Sequence, residues 1–290
     1  RVMVLFLESS ATTDRETHME FKHPPVPLDM TANVAVSWGF LAFTTVSFIA
    51  TLAWALRMGM RSRDWLPLIL MAGGALCGFL EPGGDILGAT FYPLNTPLLV
   101  FELWGRHIPL FVFVGESMFF ATAVYFAYRF LLTGTSVVRL VEILVVFSLF
   151  DAAMEMTISQ FHVMTYYGDN PTLIFGLPLY SLVQNGALAL VGGWTILVAA
   201  PRLPGMRKLF LALLVPLSFG LQAFITTWPM YLGLNTGASR SSLFILGLIA
   251  TAANLALPIL CIYSPQARAH RAHPLPATGR AGTGVLVAQN

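Results

Sequence analysis

The chain has 290 residues, of which 56% are hydrophobic and 10% charged, with a formal net charge of +2. Ordinary soluble domains carry about 25% charged residues, so a soluble globular domain and a disordered chain are both excluded. The small net charge and the lack of a basic stripe also exclude nucleic-acid binding. Long apolar runs between short polar connections predict an all-α polytopic membrane protein, and the alternating pattern of a membrane β-barrel is absent.

In chain order, a polar N-terminal segment over 1–31 comes first; Val2–Leu7 is too short for the apolar stretch of a secretory signal, and Met19 is a plausible start. Seven runs are long enough to cross a bilayer: 32–57, 65–89, 109–132, 137–158, 172–199, 208–232 and 241–263. They make up a transmembrane domain over 32–263. The tail over 264–290, rich in Ala, Gly, Pro, Arg and His, is expected to be disordered and cytoplasmic. Cys77 and Cys261 fall in apolar runs and read as small core residues.

Eleven Arg and Lys residues fall on the side that holds Arg57, Arg129, Arg202 and the tail, against five on the other side. The positive-inside rule then puts the C-terminus in the cytoplasm and the N-terminus outside, which requires an odd number of spans. Two outer connections are long. Residues 90–108 read as an interfacial or re-entrant segment and 159–171 as an aromatic, polar loop; either could lie over an outward-facing pocket.

Six carboxylates fall within the spans, Glu81, Asp85, Glu116, Glu142, Asp151 and Glu155, while no Lys or Arg falls in a span interior. An unpaired ionised carboxylate in hydrocarbon costs several kcal/mol or more, so some of these acids are expected to hold their protons and be able to donate them. Glu142 sits near an inner end beside Arg139 and reads as a surface pair; the other five fall at similar depth in the outer half. Glu81/Asp85 and Asp151/Glu155 are each spaced i,i+4, which puts each pair on one helix face. Pro82-Gly83-Gly84 is expected to break the second span, which is tolerated at membrane depth only where the backbone is buried in protein or lines a cavity. Before it, Ala72, Gly73, Gly74, Ala75 and Gly78 permit close helix packing. Tyr180, Gln184, Asn185 and the deeper Trp194 of the fifth span, with Gln222, Trp228 and the loop residue His162, are the candidate substrate-binding residues. Asn254 and His107 are weaker candidates.

The sequence has no paired-histidine di-iron cluster, no aspartate-rich magnesium-diphosphate motif, no Walker A loop, no GxSxG, no lysine in the seventh span and no histidine within a span. No metal and no cofactor is therefore expected. An apolar pocket with protonated acids and aromatic walls suits protonation of an alkene or epoxide, with aromatic faces shielding the carbocation.

In size, span number and buried acids, chiefly Glu81 in the second span, the chain resembles the small membrane-bound terpene cyclases of meroterpenoid and indole-terpenoid pathways. That resemblance covers 32–263 and implies metal-free, proton-initiated cyclisation of a prenyl chain by acidic residues. Those enzymes are described with an essential acid in a late span, where this chain has only Asn254, so Asp151 or Glu155 would take that role. Gln184-Asn185-Gly186-Ala187 with Gly192-Gly193-Trp194 is similar to a run in sterol-isomerase-type membrane enzymes.

The expected function is cyclisation or isomerisation of a lipophilic prenylated or terpenoid substrate, with Glu81, Asp85, Glu116, Asp151 and Glu155 as the catalytic acids. The expected partners are the lipid bilayer, an isoprenoid small molecule and an upstream prenyltransferase that supplies it. The expected location is a bacterial cytoplasmic membrane or an endomembrane. The alternative is a proton-coupled transporter or channel built on the same carboxylates. A transporter should show acids in both membrane halves or an inverted repeat, and the sequence has neither.

Overall fold

The computed structural model describes residues 21–274; the proposed start at Met19 and the tail beyond residue 274 lie outside them. The described chain is mostly helical. Asn33 caps α1 (Val34–Ser62) by accepting from the Val36 amide at 3.1 Å. Next come α2 (Leu66–Cys77) and α3 (Glu81–Gly88). In the third apolar segment, α4 (Leu110–Phe119) passes through a π-helical turn at Phe120–Val124 into α5 (Tyr125–Leu132). After it come α6 (Val137–Gln160) and α7 (Leu179–Ala199). α8 (Leu211–Gly220) meets a second π turn at Leu221–Ile225 ahead of α9 (Trp228–Leu234). α10 (Arg240–Ile262) and α11 (Pro265–Ala272) complete the described chain.

Five stretches are long and apolar enough to cross a membrane: Val34–Ser62, Leu110–Leu132, Leu179–Arg202, Gly205–Ile225 and Arg240–Ile262. α2 and α3 qualify together but are bent by 50°. α6 has 24 residues and occupies the fourth apolar segment of the sequence, and it carries Arg139, Glu142, Asp151 and Glu155.

Several boundaries differ from the sequence reading. The second segment breaks at 78–80, before Pro82-Gly83-Gly84. Pro82 sits in the first turn of α3, where its missing N–H costs nothing, and the Gly83 and Gly84 amides both reach the Leu80 carbonyl at 3.1 Å. The helix of the fifth apolar segment starts at Leu179, because residues before it form a hairpin of β5 (Leu173–Ile174) and β6 (Leu177–Pro178), turned by Gly176 at φ +83°. Residues 90–108 contain β1 (Thr90–Phe91), then a hairpin of β2 (Leu99–Leu103) and β3 (Arg106–Pro109). Trp104 and Gly105 turn that hairpin, both at positive φ as a two-residue hairpin turn requires. The tail is ordered through α11: Ser264 caps it by accepting from the Ala267 amide at 3.2 Å, and the Trp194 indole donates to the same hydroxyl at 2.9 Å.

α7 is the central helix, packed against α5, α6, α8 and α10. Small residues bring its neighbours in. A Cβ at Gly186 would stand 2.0 Å from Ser148 Oγ and 2.5 Å from the Leu144 carbonyl, so α6 and α7 touch backbone to side chain. Gly74 likewise lets α2 meet α4 at the Glu116 carbonyl, where a Cβ would be 2.5 Å away. α4 and α6, placed by these two approaches, both line one cavity.

Candidate functional site

The cavity measures about 200 Å³, and Glu81, Asp85, Glu116, Asp151 and Glu155 all line it. α3 supplies Glu81 and Asp85, α4 supplies Glu116, and α6 supplies Asp151 and Glu155. The i,i+4 spacing turns both members of each pair inward. Glu142, in contrast, lies on the surface, paired with Arg139 at 2.7 Å.

The two pairs are held differently. On α6, the Asn185 side-chain amide of α7 donates to Asp151 Oδ2 at 2.5 Å and to Glu155 Oε1 at 2.9 Å. Tyr166 donates to Glu155 Oε2 at 2.8 Å, and Ser181 stands 3.5 Å from the same oxygen. On α3, Asp85 is only 2% exposed, yet its Oδ2 has no hydrogen-bond partner. The buried Tyr180 hydroxyl across the cavity also has none. One pair is clamped by three donors; the other includes a buried oxygen with no hydrogen-bond partner.

The rest of the lining is largely aromatic: Phe40, Phe111 and Phe119 with Tyr92, Tyr180 and Tyr231. The two long connections, 90–108 and 159–171, supply one end of it. β1 pairs antiparallel with β4 (Thr165–Tyr166), which sets Thr90 opposite Tyr166, and both line the cavity. A polar cluster holds this lid. The Arg106 guanidinium meets the His23 ring at 3.0 Å and donates to the Tyr167 hydroxyl. The His23 ring also meets the Asn235 side-chain oxygen at 2.7 Å, and Asn235 donates to the Leu87 and Tyr231 carbonyls at 2.9 and 2.8 Å. Burial pushes the Tyr167 phenol above its ordinary value against the pull of Arg106. Arg106 is 4% exposed and within electrostatic reach of Asp85. No span interior holds a cation, but folding of the 90–108 connection brings a loop arginine near the acids.

Of the candidate substrate-binding residues, Tyr180, Gln184 and Asn185 line the cavity. Four others do not. Trp194 lies deeper on α7 and anchors α11 through Ser264. Gln222 is fully buried between α8 and α10, donating to Asn254 Oδ1 at 2.7 Å. Trp228 is 51% exposed on the outside of α9. His162 is exposed in the turn after α6, with φ +55°. Helix rotation decides these cases, and a residue's depth alone does not reveal it. His107 faces Glu102 at 3.5 Å on the β2–β3 hairpin. Among the described residues no three His, Cys, Asp or Glu side chains are grouped to share a metal ion.

Sequence reasoning missed Tyr92, Tyr166, Ser181 and Tyr231. The first two lie in the connections read as a possible lid, so their aromatic, polar character was the available signal. Ser181 sits one turn before Asn185 on the same face of α7, and that spacing could have found it. Chain comparisons with known protein families, with curated proteins and with solved structures find no match.

Proposed function

We propose that this chain spans the membrane seven times, with α2–α3 as a broken span and α6 as the fourth, and catalyses proton-initiated cyclisation or isomerisation of a neutral prenylated lipid. The observation that carries the reading is the asymmetry of the two acid pairs across one apolar, aromatic cavity. Asp85 Oδ2 has no protein partner, which suits it to offer a proton to the substrate. Asp151 and Glu155 are held by Asn185, Tyr166 and Ser181, which suits that pair to accept one.

In this scheme the Asp85 carboxyl adds its proton to a terminal alkene carbon, or to an epoxide oxygen. The ring closes as an internal π bond attacks the cation, and the faces of Tyr180, Tyr231 and Phe119 stabilise the moving charge. Glu155 or Asp151 then removes a proton from the neighbouring carbon, so the product has the formula of the substrate. Return of that proton to Asp85 through water, by way of Glu116 and Glu81, resets the site. The lid keeps bulk water from quenching the cation. At about 200 Å³ the cavity is smaller than the roughly 300–1,000 Å³ of drug-sized pockets. It suits a short folded prenyl segment whose remainder stays in the bilayer. An upstream prenyltransferase would make such a substrate, in a bacterial cytoplasmic membrane or an endomembrane.

The test is a screen of membranes containing the protein against linear prenyl-indoles, prenyl-phenols and prenyl alcohols. Conversion of any of them to an isomer of equal mass supports the reading. No conversion across the panel, together with proton flux in liposomes, would replace it with proton-coupled transport.

A further inference from the structure

The cavity must fill from somewhere, and its walls are not equivalent. At one end, the paired strands β1 and β4 line it through Thr90 and Tyr166. On the α7 side, Gln184, Ser181 and Tyr180 are buried. Of the side chains that line the cavity, only two are also exposed on the outside of the described structure: Phe43 of α1, at 44%, and Phe150 of α6, at 46%.

These two phenylalanines lie at the same level. The Asn33 amide, at the start of α1, donates to the Phe161 carbonyl at the end of α6 at 3.1 Å, so the outer ends of the two helices are tied. Phe43 is ten residues below that tie and Phe150 eleven, or about 15 Å at 1.5 Å per residue. That depth is near the middle of a hydrocarbon core about 30 Å thick. The surface around them is apolar, with Val46 and Ile49 on α1 and Val146 and Leu149 on α6 all strongly exposed. Behind the two rings the wall is soft and roomy. Met118 and Met154 line it, and unbranched thioethers adapt to irregular ligands. A Cβ on Gly115 of α4 would meet only the Thr44 methyl group, at 4.0 Å.

We infer that the cavity exchanges its ligand sideways with the bilayer, through a portal between α1 and α6 gated by Phe43 and Phe150. The ligand class follows from the chemistry of that route. An uncharged, membrane-dissolved lipid passes between two phenyl rings at hydrocarbon depth. A prenyl diphosphate would leave its phosphates in hydrocarbon and bring them against Asp151 and Glu155. The inference rests on the membrane-spanning part of the proposed function and on none of its chemistry.

The test needs no turnover. Protein in liposomes is treated with dicyclohexylcarbodiimide, an apolar reagent that modifies protonated carboxyls from the lipid phase, or with a water-soluble carbodiimide, and modified residues are mapped by peptide mass. The portal predicts that the apolar reagent modifies Glu116, Asp151 or Glu155 at least ten-fold faster than the water-soluble one. It also predicts that bridging a Phe43→Cys, Phe150→Cys double variant with a reducible bifunctional thiol reagent slows this modification at least ten-fold, and that reduction restores it. Restoration separates a shut portal from a misfolded variant, and the native Cys77 and Cys261 are buried. Equal modification with the bridge in place, faster modification by the water-soluble reagent, or no modification of the cavity acids would each overturn the portal. None of these results bears on whether the protein turns over a prenyl substrate.

Discussion

Two buried polar regions meet at α7, where Gln184 touches both, and they differ in one respect that matters. Between α7, α8 and α10, Asn254 accepts from Gln222 and Thr226 at 2.7 Å each and donates to Thr227 at 3.0 Å, and Thr227 donates to Gln184 at 2.8 Å. All of these groups are neutral, and only Gln222 Oε1 is left without a partner. In the other region, five acids line a cavity, with two pairs supported unequally. The first arrangement is what helix assembly in lipid needs: amides and hydroxyls that satisfy one another. The second is poor as assembly, because unsatisfied buried acids cost stability. Such a cost is tolerated where a site performs chemistry.

That contrast sets the order of expected effects. The largest falls on the acids. Asp85→Asn or Glu155→Gln should lower turnover by about 10²–10⁴-fold, the usual weight of a general acid or base, without lowering the unfolding midpoint. Product mass spectrometry and thermal unfolding in detergent check this. A variant that loses stability and keeps its turnover would make the acids structural and erase the contrast.

The second effect is the mirror image. Asn254→Ala takes the side-chain acceptor from Gln222, which keeps only the Asn254 backbone carbonyl at 3.4 Å, while Thr226 and Thr227 still donate to the Gln222 carbonyl and to Gln184; the loss is about 1–3 kcal/mol. Denaturant unfolding should show that loss, while turnover per folded molecule stays within a few-fold of the original. Abolished turnover in a folded Asn254→Ala protein would bring the network into the site through Thr227 and Gln184.

The smallest effect lies outside both regions. Burial holds His270 of α11 below the ordinary histidine value of 6.5. The undocked helix therefore binds a proton more readily than the docked one, and docking weakens as pH falls through that range. Trp194, which donates to the α11 cap, reports it: its fluorescence in a variant lacking the other tryptophans should change below about pH 6.5. His270→Asn should flatten that change. An unaltered pH response in His270→Asn would assign it to another group.

The sequence showed the apolar segments and the acids because both are strong, local signals. Hydrocarbon demands runs of about 20 apolar residues, and an i,i+4 pair of carboxylates in such a run is rare. What it could not show was rotation and closure. Trp194, Gln222 and Trp228 share a depth range with the acids or lie near it, but their helices turn them to α11, to α10 and to the outside. Arg106 and Tyr167 depend on a loop folding back over Asp85, a long-range event with no periodic signature. The break before Glu81 was placed late because Pro82 and the two glycines fit the first turn of a helix as well as they fit a gap.

The most direct test of the central claim is isotopic. Reconstituted protein is incubated in heavy water with EDTA and an alkene substrate, free of epoxide, that it converts, and the product is analysed by mass spectrometry. The account predicts an isomer that carries one deuterium at the carbon protonated first, formed at the same rate with and without EDTA. An isomer without deuterium, or a conversion that stops with EDTA, would contradict proton-initiated chemistry by these acids.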